Sequence, residues 1–320
     1  MAAPLSSRSV GILLVVVGAI CASTKAIAIK LAYGFTVDPL SLLALRMLFA
    51  LPFYVVILAL FGPRQPTRPL SLREWISVII IGFLGYFVAS QADFIGLSYI
   101  PAGLERLILF TYPSWVVLLA WAIYGQRPSM LSLGALAAVY LGIFFIMMGE
   151  VSIPETDILV KGAAWVLLAA IAYAGFLIGS EKFIPKMGTV RFTSWSIIAA
   201  TLGILLQVSV QKGAALFQFE PTIYYYALYL AIVATVIPTY MVSAGIKIIG
   251  ASAAAIVGTL GPVFTLILAY FFLDERLTLV QMIGTLTILA GVFLIGRDKR
   301  KQKDQKEALA LKQSSPTSGS

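Results

Sequence analysis

The sequence contains no histidine and a single cysteine, Cys21, among its 320 residues. The absence of histidine removes the commonest general base and the commonest metal ligand in proteins. A single cysteine excludes an intramolecular disulfide framework. The sequence also lacks a Walker-type phosphate loop and a GxSxG nucleophile motif. We therefore expect no metal, no cofactor and no enzymatic activity.

Charge is also scarce, since 12% of the residues are charged and 60% are hydrophobic. A soluble domain of this length needs more charge on its surface, so the apolar excess indicates an all-α integral membrane protein. The net charge of +9 comes from basic residues in short gaps between apolar runs and in the segment from Arg297 to Lys312. This distribution is typical of cytoplasmic loops facing a lipid bilayer, and it argues against a nucleic-acid partner.

Ten apolar runs are long enough to cross a bilayer, which takes roughly 20 residues per helix. They cover residues 10–33, 39–61, 74–98, 102–124, 128–148, 158–180, 191–211, 223–246, 251–273 and 277–296. With a cytoplasmic N-terminus, sixteen basic residues fall on the inner side and three on the outer side. This bias predicts a multi-pass protein of the cell (inner or plasma) membrane with both termini cytoplasmic. The tail, 297–320, reads as disordered and basic.

The third to fifth runs recur in the eighth to tenth at a constant offset of 149 residues. The matching positions are Gly96 and Gly245, Ala102 and Ala251, Pro113 and Pro262, and Gly142 and Gly291. We therefore predict two five-helix repeats, 9–148 and 158–296. Because five is an odd number, the repeats must be inverted relative to each other, as they are in many secondary transporters.

The segment GTLGPVFTLILAYFFLDERLTLVQMIGTLTILAGVFLIG carries a family resemblance. It resembles the C-terminal part of an EamA repeat of the drug/metabolite transporter superfamily, through Pro262, Glu275 and the glycines Gly284 and Gly291. The first half repeats this pattern, but Gln126 stands where the family usually has glutamate. The resemblance implies a ten-helix transporter of small metabolites, often an exporter of amino acids or related compounds.

Intramembrane charges are the first candidate functional residues, because each is costly at a helix centre. Lys25 lies nearest the midplane, and we expect an uncompensated cation there to bind a substrate carboxylate or phosphate. Two polar gates are predicted, each closing while the other opens. The outer gate is Arg46, Asp93, Glu105 and Arg106, and the inner gate is Glu181, Lys182 and Lys247. The alternative is that these residues are structural or extend to the interface.

Polar residues at helical spacing predict the lining of a substrate cavity. They are Tyr86 and Ser90 in the third run, Tyr173 in the sixth, and Tyr229, Tyr240 and Ser243 in the eighth. Hydrogen bonding between helices would use the same residue types. Helix kinks are expected at Pro113 and Pro262, where close helix packing is the alternative.

These features predict a secondary transporter that moves a small metabolite by alternating access, with export as the expected direction. The first candidates for the substrate are amino acids and other carboxylate-bearing compounds. Asp93 or Glu105 is the candidate for coupling to a proton or another ion. A monomer and a homodimer both fit the sequence. The alternatives are a membrane scaffold or receptor built on a transporter fold and a membrane-embedded lipid enzyme.

Overall fold

The computed structural model describes residues 7–62, 70–125, 130–149 and 156–249, together with part of the segment 261–291. No β-strand occurs within these residues. The helices are α1 (Ser7–Tyr33), α2 (Pro39–Phe61), α3 (Leu72–Gly82), α4 (Ala89–Tyr99), α5 (Ala102–Leu109), α6 (Tyr112–Tyr124), α7 (Met130–Gly149), α8 (Thr156–Met187), α9 (Thr189–Lys212), α10 (Pro221–Ala231) and α11 (Ile237–Ile249). A 3₁₀ turn, Gly213–Phe217, follows α9.

Seven helical segments of the described chain are long and apolar enough to cross a membrane. They confirm the expectation of an all-α membrane protein. The helix α7 is also apolar, and Met282–Gly291 is a shorter apolar helix. The count of ten spans stays a prediction, because 251–273 and 277–296 are only partly described.

Local sequence explains where several helices begin. Asp38 caps α2 by accepting a hydrogen bond from the Ser41 backbone N–H at 3.1 Å, and Pro39 occupies the first turn. Ser71 and Glu74 form a capping box at the start of α3. Such caps satisfy backbone N–H groups that have no partner inside the helix. The boundary predicted at residue 39 agrees with the observed start of α2.

The third helix of each repeat contains a π-helical turn at its middle. Phe83–Val88 joins α3 to α4, and Ile232–Val236 joins α10 to α11. The two turns begin 149 residues apart, which is the offset of the sequence repeat. A π turn contains one residue more than an α-helical turn of the same rise, so it shifts the face on which later side chains lie.

Two glycine contacts between the repeats are equivalent to each other. Gly96 of α4 packs against Gly162 and Val166 of α8, and a Cβ on Gly96 would lie 3.2 Å from the Gly162 carbonyl oxygen. Gly245 of α11 packs in the same way against Gly11 and Val15 of α1, with the corresponding distance at 3.0 Å. Both contacts require glycine for close approach of the helices. The second contact is the first one with the repeats exchanged.

The run predicted over 102–124 is divided rather than continuous. The helix α5 ends at Leu109, and α6 begins at Tyr112 with Pro113 in its first turn. Proline is accepted there because its missing N–H would have no partner in the first turn. The interruption between the two helices therefore falls just before Pro113, and a kink there stays a prediction.

The buried core joins the two repeats. Its largest cluster combines α1, α2 and α4 with α9 and α10, and includes Ile29, Leu43, Phe94, Ile204 and Leu230. At another contact, a Cβ on Gly142 of α7 would lie 2.6 Å from the Gly284 carbonyl oxygen. Gly96, Gly142 and Gly245 therefore each lie at a close contact between helices of different repeats.

Candidate functional site: a buried charged group beside the paired π turns

Lys25 is paired in the structure. Its Nζ donates to Asp93 Oδ2 at 2.6 Å, and both side chains are largely buried. The expectation of an uncompensated cation at the midplane was therefore wrong. Lys25 lies eight residues before the end of α1, and Asp93 lies six before the end of α4. At 1.5 Å per residue these positions are about 12 and 9 Å from neighbouring helix ends, so the two side chains meet at nearly the same depth.

Glu105 and Arg106 extend this pair into a buried charged group. Glu105 is fully buried in α5 and Arg106 is 8% exposed. The Glu105 carboxyl lies close enough to Asp93, Lys25 and Arg106 to interact electrostatically with all three. No N–H group or hydroxyl of the described structure donates to either Glu105 oxygen, and the side chain that shares a hydrogen bond with Glu105 is the carboxyl of Asp93. Three residues of the predicted outer gate are thus brought together, with Lys25 as an additional member.

Arg46 lies apart from these carboxyl groups in its hydrogen bonding. Its Nε donates to Thr235 Oγ1 at 2.8 Å, and its guanidinium lies over the Phe94 ring at 5.2 Å from the centroid. Thr235 belongs to the second π turn. Arg46 therefore connects α2, the second helix of the first repeat, to the middle of the third helix of the second repeat.

Aromatic side chains fill the space beside the two π turns. The rings of Tyr54 and Tyr240 are tilted by 39° to each other, with their centroids 5.6 Å apart, and the Tyr240 hydroxyl shares a hydrogen bond with Ser194 at 2.9 Å. Tyr86 of the first π turn makes an edge contact with Phe176, at 4.9 Å between centroids. Of the predicted cavity residues, Tyr86 and Tyr240 lie in this cluster with residues of both repeats.

Tyr173 lies in an adjoining cluster. Its ring makes an edge contact with Tyr112 at 5.1 Å and stacks on Phe176 at 6.0 Å. Ser90 is half-buried in α4, two residues beyond the first π turn. The structure thus places Tyr173 near Tyr86 through their shared neighbour Phe176.

Tyr229 does not share the face of Tyr240, contrary to the predicted stripe. It is 38% exposed and lines a groove of about 510 Å³ between α1, α10 and the segment around Leu268. The stripe assumed a constant α-helical period across 229–240, whereas the π turn at Ile232–Val236 changes the register between these two tyrosines.

Ion pairs join the repeats near both ends of the helices. Glu74 at the start of α3 accepts from Lys186 near the end of α8, at 2.6 Å. At the opposite end, Lys212 of α9 pairs with Asp38, the cap of α2. Partial burial acts to raise the pKa of the Asp38 carboxyl, but hydrogen bonds from Lys212 and Ser41 hold this pKa below its ordinary value.

The predicted inner gate cannot be compared at the level of side chains. Glu181 and Lys182 lie in α8 and Lys247 in α11, but their side chains, like that of Ser243, are outside the described part of the structure. Pro262 is also outside the described residues. The ion pair between Glu74 and Lys186 is one contact between the repeats that the structure describes near that end.

Sequence reasoning missed Thr235, Tyr54 and the two end ion pairs. Asp38 before Pro39 and the Ser71/Glu74 pattern were recognisable as helix caps, but their lysine partners come from the other repeat. Thr235 was detectable only through the repeat, since it is 149 residues from Tyr86. No sequence signal predicts that a π turn occurs at these two equivalent positions.

The architecture and the site define a class: a polytopic helical membrane protein built from two related halves that meet at mid-helix. The model of the EamA-like transporter family matches residues 9–148 and 160–297. The chain belongs to this family, which confirms the resemblance seen in the sequence. It is a multi-pass membrane transporter of a small-molecule substrate.

Relatives agree with this assignment. The chain is 30% identical over 304 residues to the uncharacterized transporter YcbK of Bacillus subtilis, covering 93% of this chain and 95% of that protein. It is 26% identical over 264 residues to a probable amino-acid metabolite efflux pump of Salmonella typhimurium, covering 80% and 85%. A solved crystal structure with 18% identity aligns with a TM-score of 0.60 over 92% of this chain and 99% of that one, which supports the fold.

Proposed function

We propose that the protein is a secondary transporter that moves a small metabolite by alternating access, with its two five-helix repeats in opposite orientations and both termini cytoplasmic. The observation that carries the proposal is the exchange symmetry at mid-helix. The π turns at Phe83–Val88 and Ile232–Val236 and the contacts of Gly96 and Gly245 are equivalent under exchange of the repeats. Repeats with equivalent contacts can exchange conformations, and this exchange moves the access path from one side to the other.

The end ion pairs support this mechanism because their positions are also exchanged. Asp38, between the first two helices of the first repeat, pairs with Lys212, at the end of the second helix of the second repeat. Lys186, near the end of the second repeat's first helix, pairs with Glu74, which follows the second helix of the first repeat. In the proposed cycle, each pair breaks when its own side opens.

The direction and the substrate are finer parts of the proposal. Export of an amino acid or another carboxylate-bearing compound is favoured by the family and by the efflux pump among the relatives. Asp93 and Glu105 are the candidates for coupling, since both carboxyl groups are buried and adjacent to cations. A change in the protonation of either would alter the balance of charge in this group.

Flux through purified protein in liposomes tests the proposal. The probes are radiolabelled amino acids and 2-oxo acids, loaded inside and counted outside, with and without an imposed pH difference. We expect saturable efflux of at least one probe, accelerated by the same unlabelled compound on the opposite side. Stable binding of a probe with no flux in either direction would contradict transport and favour a receptor.

A further inference from the structure

Arg46 is buried in the middle of the described helices, and its hydrogen bond goes to a neutral group. It is 6% exposed, and its Nε donates to the Thr235 hydroxyl at 2.8 Å. Among the described residues no carboxylate accepts a hydrogen bond from Arg46, and no acceptor is found for Nη1 or Nη2. A guanidinium in a membrane is retained only where a partner or a function offsets its cost.

The neighbouring charges leave Arg46 as the surplus cation. Within the described part of the chain, Asp93 and Glu105 are the two buried carboxyl groups, and the cations around them are Lys25, Arg46 and Arg106. Asp93 already binds Lys25 at 2.6 Å, and Glu105 lies within electrostatic reach of both Lys25 and Arg106. Asp93 also interacts electrostatically with Arg46, but at longer range than a hydrogen bond.

Thr235 holds the guanidinium in one orientation. The Thr235 hydroxyl donates to the carbonyl of Leu230, five residues earlier in α10, at 2.7 Å. Its proton is therefore used, and a lone pair of the oxygen accepts the hydrogen bond from Arg46. The Phe94 ring supports the guanidinium plane. These contacts occupy the Nε edge and one face of the guanidinium. The remaining Nη1–Nη2 edge presents two parallel N–H donors that match two carboxylate oxygens.

The geometry points to Arg46 as the residue that binds the carboxylate of the transported substrate, in place of Lys25, whose charge is already neutralised. This inference rests on the proposed transport function and assigns the residue and the ligand class. The class is a small monocarboxylate, such as an amino acid or a 2-oxo acid, whose remainder lies toward Tyr54 and Tyr86. Both tyrosines are close enough to Arg46 to interact electrostatically.

Binding to the purified full chain tests the assignment without relying on flux. Amino acids and 2-oxo acids are compared with their amides and with the corresponding amines, by thermal shift and then by calorimetry. We expect carboxylates to bind and amides and amines of the same size to fail. A bidentate charge-assisted contact makes Arg46→Gln weaken binding on the order of 10-fold to 100-fold.

Three companion variants separate this role from a structural one. Arg46→Lys keeps the charge without the planar pair of donors and should retain intermediate affinity. Thr235→Val removes the acceptor for Nε and should weaken binding less than Arg46→Gln. Lys161→Gln removes an exposed cation of α8, which lies over the Tyr99 ring and outside the buried charged group, and should leave the preference for carboxylates over amides intact.

The outcomes distinguish the two proposals. Flux of a neutral or cationic probe that persists in Arg46→Gln would overturn the carboxylate assignment and leave transport standing. Equal affinity of wild type and a folded, monodisperse Arg46→Gln for a carboxylate would overturn it as well, as would a panel in which amides bind as well as acids. If Arg46→Gln does not fold, unchanged carboxylate affinity in both Arg46→Lys and Thr235→Val would contradict the assignment.

Discussion

The two repeats share their helix contacts and differ in their buried charges. Gly96 and Gly245 make equivalent contacts, and each repeat has a π turn at the middle of its third helix. The charged group has no counterpart in the second repeat. Gly11 and Val15 correspond to Gly162 and Val166 at an offset of 151, and at that offset Lys25 corresponds to Phe176.

The other three residues of the charged group lie in the part of the chain that repeats at an offset of 149 residues. At 149 residues, Asp93, Glu105 and Arg106 correspond to Val242, Ala254 and Ala255. In the proposed cycle each half takes the other's part, so contacts that hold the repeats together must be kept twice. A single substrate needs its charged partner only once. We infer that the symmetric positions serve the conformational change and the asymmetric ones serve recognition or coupling.

The largest loss of stability is expected when one partner of the buried ion pair between Lys25 and Asp93 is removed, a pair that the second repeat does not have. Asp93→Asn leaves the buried Lys25 ammonium without its carboxylate, and removal of one partner of a buried pair costs about 3–5 kcal/mol. Lys25→Met with Asp93→Leu removes both charges and should recover a large part of that loss. Thermal unfolding of the wild type, the double variant and its two component single variants, Lys25→Met and Asp93→Leu, gives the energy of interaction between the two residues. Additive losses in the double variant would show that the two residues do not act as a pair.

The symmetric contacts should respond alike. Gly96→Ala and Gly245→Ala each place a Cβ against a valine side chain and a facing carbonyl, at a cost of about 1–3 kcal/mol. Val166→Ala should relieve the first substitution and Val15→Ala the second. Gly134→Ala is the control, since nothing lies within 4 Å of its added Cβ. Losses that differ strongly between the two sites would argue against equivalent roles.

The end ion pairs should matter least for stability. Lys186→Gln and Lys212→Gln each remove a partly exposed pair, worth at most about 1 kcal/mol. Because the pKa of Asp38 is lowered in the folded state, its contribution to stability is fully present above the ordinary pKa of an unfolded aspartate, about 4. That contribution is lost as the pH falls through the lower pKa of the folded state. Asp38→Asn should remove this part of the acid sensitivity in unfolding curves measured at several pH values. A wild-type-like acid profile in Asp38→Asn would contradict the pairing.

Much of the fold was predictable because membrane helices are specified by long apolar runs. The start at Pro39 followed from local helix-start chemistry, and the second repeat followed from a constant register. Positions along one helix do not reveal which residues of other helices lie beside them, so the pairing of Lys25 with Asp93 was missed. The π turns were also missed, because they depend on a shift in backbone hydrogen bonding. The π turn at Ile232–Val236 separated Tyr229 from Tyr240. The contact of Thr235 with Arg46 was missed as well, because it joins helices of different repeats.

Cross-linking each end of the molecule tests the alternating mechanism most directly. In a Cys21→Ser background, which removes the native cysteine, Asp38→Cys with Lys212→Cys joins one end and Glu74→Cys with Lys186→Cys joins the other. A short bis-methanethiosulfonate cross-linker, which forms a reducible disulfide with each cysteine and releases methanesulfinate, links each pair in proteoliposomes loaded with the radiolabelled probe. The single-cysteine variants are the controls. Alternating access predicts that either cross-link alone stops flux and that a reductant restores it. Undiminished flux with both pairs fully cross-linked would contradict the account.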